Sequence, residues 1–265
     1  FKRYYGDITL DLDKVVEKEG VAFVSQFLET EPNALADSFK GQLYQHTGGH
    51  PLFTVELLRN MQERGDLVKD DTGRWIESES LDWEDLPTRV EGVIEERIGR
   101  LETALKELLT VGSVQGEDFT AEVVARVQQA DARGLIRQLS GELERQHRLV
   151  KAEGIRRLED SKQRLSLFRF QHNLFRTYLY NELGEAERAY LHEDVGYALE
   201  ALYGDTADEI AVQLAHHYEK AGLDEKARDY LQKAGEQAAA RYANEEAIDY
   251  FTRALALMTE NEIEK

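Results

Sequence analysis

The stretch His46-Thr47-Gly48-Gly49-His50-Pro51-Leu52-Phe53 decides how the first part of this chain folds. A helix arriving from Asn33 must stop at the paired glycines, which supply the left-handed backbone that a helix C-terminus needs. Pro51 then opens a new helix, where its missing N–H costs nothing and its fixed φ is already helical. Leu52, Val55, Leu58 and Met61 follow at helical spacing, so the new helix has a face to bury. Read from spacing alone, the stretch is a helix–turn–helix corner.

Upstream of the corner, Ile8, Leu10 and Leu12 alternate with polar residues, which predicts a short strand or extended lead-in. Asp13 can cap a helix whose apolar positions are Val15, Val16, Val21, Phe23, Val24 and Phe27, with Gly20 able to split it in two. Pro32-Asn33 opens the helix that carries Leu35, Phe39, Leu43 and Tyr44 into the corner. Downstream, Leu67-Val68-Lys69 and Arg74-Trp75-Ile76 flank Asp70-Asp71-Thr72-Gly73, the pattern of a tight hairpin. The acidic run Glu77 to Asp85 reads as an exposed connector, and Pro87 restarts helix formation. Arg64-Gly65-Asp66 matches an integrin-binding tripeptide, but a single such match reads as coincidence.

From Thr88 the apolar positions Val90, Val93, Ile94, Ile98 and Leu101, then Leu105, Leu108, Leu109 and Val111, predict two helices, with Glu95, Glu96 and Arg97 facing water. Phe119-Thr120 starts a third through Val123, Val124 and Val127, and Leu135 to Leu143 gives a fourth. His147 to Lys151 and Leu165 to Phe170 then read as paired strands around a polar loop. Helices followed by a β-hairpin is the order of a winged-helix domain. Asn173, Leu174, Phe175, Tyr178 and Leu179 belong to the helix after it.

Beyond Leu183 the pattern stays helical. Ala189, Val195, Leu199 and Leu202 line one helix, and Ile210, Leu214 and Tyr218 the next. Glu225-Lys226-Ala227-Arg228-Asp229-Tyr230-Leu231 recurs twenty residues on as Glu245-Glu246-Ala247-Ile248-Asp249-Tyr250-Phe251. Together with Ala215-His216-His217-Tyr218-Glu219-Lys220-Ala221-Gly222, this looks like a degenerate tetratricopeptide-type unit, whose regular form spans about 34 residues. Stacked helix pairs need neighbours, so further repeats are expected beyond Lys265.

Two of these places resemble a known family. Gly49-His50-Pro51 resembles the Gly-x-Pro corner of the STAND proteins, multidomain signal-transduction ATPases related to AAA+ machines. The resemblance implies that Pro51 packs against adenine and that residues 1–66 form the lid-like helical arm beside the nucleotide. Phe168-Arg169-Phe170-Gln171-His172-Asn173-Leu174 resembles a second signature of that family, in which a histidine ends the winged-helix strand and opens the next helix. It implies that His172 reaches the β-phosphate of ADP and helps hold a closed, inactive form. Asn173 departs mildly from the usual acidic or small neighbour.

Composition narrows the chemistry. The 265 residues carry a net charge of −19, which argues against general affinity for nucleic acid or anionic lipid. No apolar run approaches the roughly 20 residues that span a bilayer. Zero cysteines exclude disulfides and thiolate metal sites and fit a cytoplasmic setting. Only three prolines, with abundant Leu, Ala and Glu, favour helices. No Gly-Lys dipeptide occurs, so a phosphate-binding loop is missing and the chain is not expected to be an enzyme alone. The STAND resemblance implies that ATP or ADP is bound in a parent protein whose ATPase core lies before Phe1. His216-His217 are adjacent on a helix and cannot share one metal, so no metal site is expected.

DNA binding is the rival reading. Arg145 to Arg176 holds nine basic and three acidic residues, a basic wing in which Arg148, Arg156, Arg157 and Arg169 are the candidate phosphate or DNA contacts. The helix expected to face a groove, Thr120 to Gln129, offers only Arg126 as a base-reading cation and carries Glu122. DNA is therefore disfavoured as a partner of this segment. The expected architecture is mostly α: a helical arm (1–66) with candidate contacts Gly49 and Pro51, a hairpin and acidic connector (67–85), a winged-helix domain with a small β-hairpin (86–183), and the start of an α-α superhelix (184–265). The expected partners are the chain's own ATPase core and a protein or inducer on the repeats, with no membrane.

Overall fold

A computed structural model describes residue 20 and residues 22–83, 85–158 and 163–258. The extended lead-in at 8–12 and the helix start at Asp13 lie outside them. Over the described residues the chain is mostly helical with two small antiparallel sheets, and it divides into two compact units between Leu101 and Glu102. Among the described residues no helix is long and apolar enough to cross a membrane.

In the first unit, helix α1 (22–28) buries Val24 and Leu28 against α2 (Asp37–Thr47) and α3 (Pro51–Arg64), with Phe39, Leu43, Leu57 and Met61 filling the core. α2 starts at Asp37 and not at Asn33, because the chain before it is used otherwise. Trp75 N donates to Pro32 O, and Ala34 N to Trp75 O. The segment thereby runs extended beside the hairpin of β1 (Leu67–Lys69) and β2 (Trp75–Glu77). Asp70 closes the hairpin turn by accepting from the amides of Thr72 and Arg74. The acidic connector is more than solvated chain: its Trp83 ring packs on Phe39 and His46.

Helix α4 (Val90–Gly99), expected to open the domain running from 86, packs on α3 within this first unit. Arg97, expected to face water, is buried and ion-paired with the buried Glu56 of α3, with Glu63 3.3 Å away. A periodicity reading assigns charged residues to the surface, but a guanidinium can be buried where carboxylates meet it. Asn60 adds a bond to Glu96 and accepts one from Arg100. Asp66 of the Arg-Gly-Asp triplet is also buried, 2.9 Å from Arg64, and is not presented to a partner.

The second unit begins with α5 (Thr103–Gln115). Phe119-Thr120, expected to start a helix, lies in strand β3 (Asp118–Thr120). The Phe119 ring lies over Gly112, and the strand pairs with Phe168 of β5 before α6 (Ala121–Val127) begins. Helix α7 (Ala132–Gln138) widens into a π-helical turn, Leu139–Gln146. Strands β4 (Val150–Arg157) and β5 (Arg164–Phe170) follow, so the hairpin begins three residues later than expected and the sheet order is β3-β5-β4. Then come α8 (Asn173–Glu182), α9 (Glu185–Tyr203), a short 3₁₀ segment, α10 (Ala211–Ala221), α11 (Asp224–Ala240) and α12 (Asn244–Ala256). Consecutive helices from α9 to α12 pack on one another. The twenty-residue echo in the sequence marks the starts of α11 and α12, which are neighbours in the stack.

The Glu56–Arg97 pair yields a test. Arg97→Ala removes the buried guanidinium from a buried carboxylate that Arg59 also meets at 2.8 Å, and should cost the first unit about 3 kcal/mol. Urea unfolding followed by tryptophan fluorescence reads this unit alone, since Trp75 and Trp83 are the only tryptophans. Glu56→Leu with Arg97→Met should lose far less. A wild-type midpoint for Arg97→Ala would refute the assignment.

Candidate functional site

The corner is built from backbone bonds and two threonines. Gly48, at φ +60°, closes α2 by donating its N–H to Tyr44 O at 2.8 Å. Thr47 Oγ1 donates to Leu43 O at 2.8 Å and accepts from the Gly49 amide (3.2 Å) and from Thr54 Oγ1 (3.0 Å). That buried cluster ties the end of α2 to the start of α3. His50 caps α3, its Nδ1 accepting from Phe53 N, and Pro51 takes the first helical position with its ring exposed.

Gly49 is buried, and its backbone lies against the backbone of Gly20. A Cβ there would come within 2.5 Å of Gly20 Cα and 2.9 Å of the Tyr44 ring. Thus the two candidates at this corner differ in kind: Gly49 is spent on packing, while Pro51 is exposed.

His172 lies in the second unit, where β5 ends and α8 begins. Its backbone is extended (φ −140°), its carbonyl accepts from Phe175 N, and its ring lies 6.1 Å from that of Phe175. The imidazole makes no capping bond to the helix. Gln171 N donates to Leu149 O, so the junction is anchored to the chain entering β4.

The four basic candidates separate. Arg169 is held by Asp118 through two bonds, Nε to Oδ1 at 2.5 Å and Nη2 to Oδ2 at 3.0 Å, which raise its affinity for its proton further. It is committed to the β3–β5 edge. Arg148 is exposed with φ +51°, at the step between the π-helical turn and β4. Arg156 and Arg157 are exposed on β4, and Arg157 stands directly across from Arg164 of β5. Like charges facing each other across a ladder are unfavourable. Among the described residues no carboxylate pairs with Arg156 or Arg157.

Sequence reasoning overlooked a second cluster. His192 of α9 and His217 of α10 are both buried, with their Nδ1 atoms 2.9 Å apart, and Tyr180 Oη of α8 lies 3.0 Å from His192 Nε2. The signal was present: His192 falls on the stripe of Val195, Leu199 and Leu202, and His217 on that of Ile210 and Leu214. The adjacent His216 is exposed, and among the described residues no group of three or more His, Asp or Glu side chains could hold a metal ion. Nearby, Glu200 accepts from Tyr218 (2.7 Å), Tyr230 (2.7 Å) and Lys226 (2.5 Å). Burial works against its charge, but these three donors outweigh burial and hold its pKa below the usual carboxylate value.

No known family, curated protein or solved structure matches the chain.

The corner geometry separates its two glycines experimentally. Gly48→Ala meets open space and should cost only the left-handed backbone term, about 1–2 kcal/mol. Gly49→Ala adds an overpacking term of about 1–3 kcal/mol, because the opposing atoms are backbone. Tryptophan-detected unfolding should therefore show Gly49→Ala as clearly the more damaging. Equal losses would refute the Gly20 contact.

Proposed function

We propose that this chain is the regulatory and protein-interaction portion of a STAND-type signal-transduction ATPase, acting with a nucleotide-binding core outside these 265 residues. In this reading the first unit carries the lid-like arm, and the sheet-bearing part of the second unit is a winged-helix domain. The stacked helices α9 to α12 are the start of a tetratricopeptide-like superhelix that receives a protein partner or inducer. The setting is a cytoplasmic signalling protein or transcriptional regulator.

The observation that carries this reading is His172. It sits where a strand of the small sheet gives way to a helix. A histidine at such a junction is the one that the family resemblance assigns to the ADP phosphate. The helix–strand–helix–helix–hairpin order from α5 to β5 supports the winged-helix assignment, and the exposure of Pro51 supports an adenine-facing corner.

Mechanistically, nucleotide acts as a ligand that prefers one of two packings. ADP bridging the core, Pro51 and His172 favours the closed form. ATP and a partner on the repeats favour the open one. Catalysis is left to the core, because the chain has no phosphate-binding loop.

DNA binding through the exposed Arg148, Arg156 and Arg157 is the competing reading, and it is the weaker one because Arg169 is occupied by Asp118. Fluorescence anisotropy with mixed duplex at low salt separates the two: tight, salt-sensitive binding would favour DNA.

For the nucleotide reading, the full-length protein with its core is loaded with labelled ADP and chased. His172→Ala should release ADP about tenfold faster or more, the scale of one hydrogen bond to a charged group, and raise basal output. Unchanged ADP retention would sink the proposal.

A further inference from the structure

Helices α8, α9 and α10 are joined by a chain of hydrogen bonds, buried at its two histidines, that the nucleotide reading does not use. It runs from Tyr180 Oη to His192 Nε2, and from His192 Nδ1 to His217 Nδ1. Each imidazole is 1% exposed. A nitrogen–nitrogen separation of 2.9 Å needs one proton between the two Nδ1 atoms. A proton on each would set two N–H groups against each other. The Nε2 atom of His217 is buried with no hydrogen-bond partner among the described residues. Charging that ring therefore creates a buried donor without an acceptor, which is costly.

We propose that the His192–His217 pair is an acid-sensitive latch, holding α8 and α9 to α10 while both rings are neutral and releasing them when a ring is protonated. It stands independently of the nucleotide reading.

The surroundings favour the neutral state. Tyr180 on α8 has the guanidinium groups of Arg176 and Arg188 over its ring, at 5.7 and 4.7 Å. The charged form of His192 is opposed by His216 and Lys220 on α10, Arg188 on α9 and Arg176 on α8. On α10, Glu219 is ion-paired with Arg253 of α12. On α11, Lys226 and Tyr230 are engaged by Glu200. Of the other helices on α9, α5 places Lys106 and Glu107 in a cavity beside Leu191, α6 has Glu122 held by Ser166 and Arg126 in its last turn, and the 3₁₀ segment Gly204–Ile210 carries Asp205, Asp208 and Glu209, with Asp208 paired to Lys233 of α11. Burial first, then these charges, lowers His192 to about 4; burial, His192 and His216 lower His217 to about 3.

The sign follows. The unfolded chain, with histidines near 6.5, takes up protons before the folded one does. Stability is full above about pH 6.5 and is lost as pH falls from there toward 4.

The test is hydrogen exchange of the full chain at pH 7.5, 6.5 and 5.5, expressed as protection factors for α8 to α10. Wild type should keep its protection from 7.5 to 6.5, then lose about tenfold per pH unit for each histidine that takes up a proton on opening. Tryptophan fluorescence of the first unit should not follow. His192→Gln and His217→Gln should each flatten the dependence. An equal pH slope in wild type and both variants overturns the proposal. Should a variant fail to fold, imidazole NMR titration of the wild type decides: rings titrating at or above 6.5 overturn it, and rings still neutral at pH 5.5 support it.

Discussion

The ring of Tyr218 resting on bare backbone at Gly196 sets how closely the helices of the second unit approach. Tyr218 is fully buried, and a Cβ at Gly196 would come within 2.8 Å of its ring. Glycine inside a helix costs about 1 kcal/mol relative to alanine. Here the absence of a side chain lets α10 sink onto α9 far enough for the Tyr218 hydroxyl to reach Glu200. Glu200 in turn gathers Tyr230 and Lys226 from α11, so one carboxylate fixes the register of three helices. The same device recurs with Phe119 over Gly112 and Phe251 over Gly235. Where a ring must sit on a helix backbone, only glycine makes room.

Much of the architecture could be read from local chemistry. The paired glycines with Pro51 required a helix end and a helix start, and both are there. Asp70 to Gly73 required a turn, and the strands flanking it lie within one residue of expectation. What escaped was decided by distant partners. Arg97 is buried because Glu56, 41 positions earlier, meets it. Strand β3 is three residues long, too short to show alternation, and exists because Phe119 finds Phe168 across the sheet. The side of the division on which α4 falls depends on its packing against α3, which its own periodicity does not encode.

The candidate site was legible to a different degree. Gly49 and Pro51 were singled out together, yet only geometry separates a buried backbone contact from an exposed ring. His172 was placed at a strand-to-helix junction and occupies one. Arg169 could not be told from its basic neighbours in sequence, since Asp118 reaches it only once β3 and β5 pair. The imidazole pair was missed because histidines on an apolar stripe were left out of the hydrophobic count. Burying a neutral histidine is cheap only when another group accepts its proton, and that partner was 25 residues away on another helix.

The kinship between the starts of α11 and α12 has a constructive side. Ala227, Leu231 and Ala234 lie buried on α11, and of their counterparts on α12 Ala247 and Ala254 are buried too, while Phe251, with Ile248 and Leu255 at 66% and 64% exposed, leaves an apolar margin. Each helix thus offers its successor a seat resembling the one it occupies. Copying the twenty-residue block that spans α11 and inserting it before Asn244 would lengthen the rod by one rung, with α12 moving outward intact as its lid.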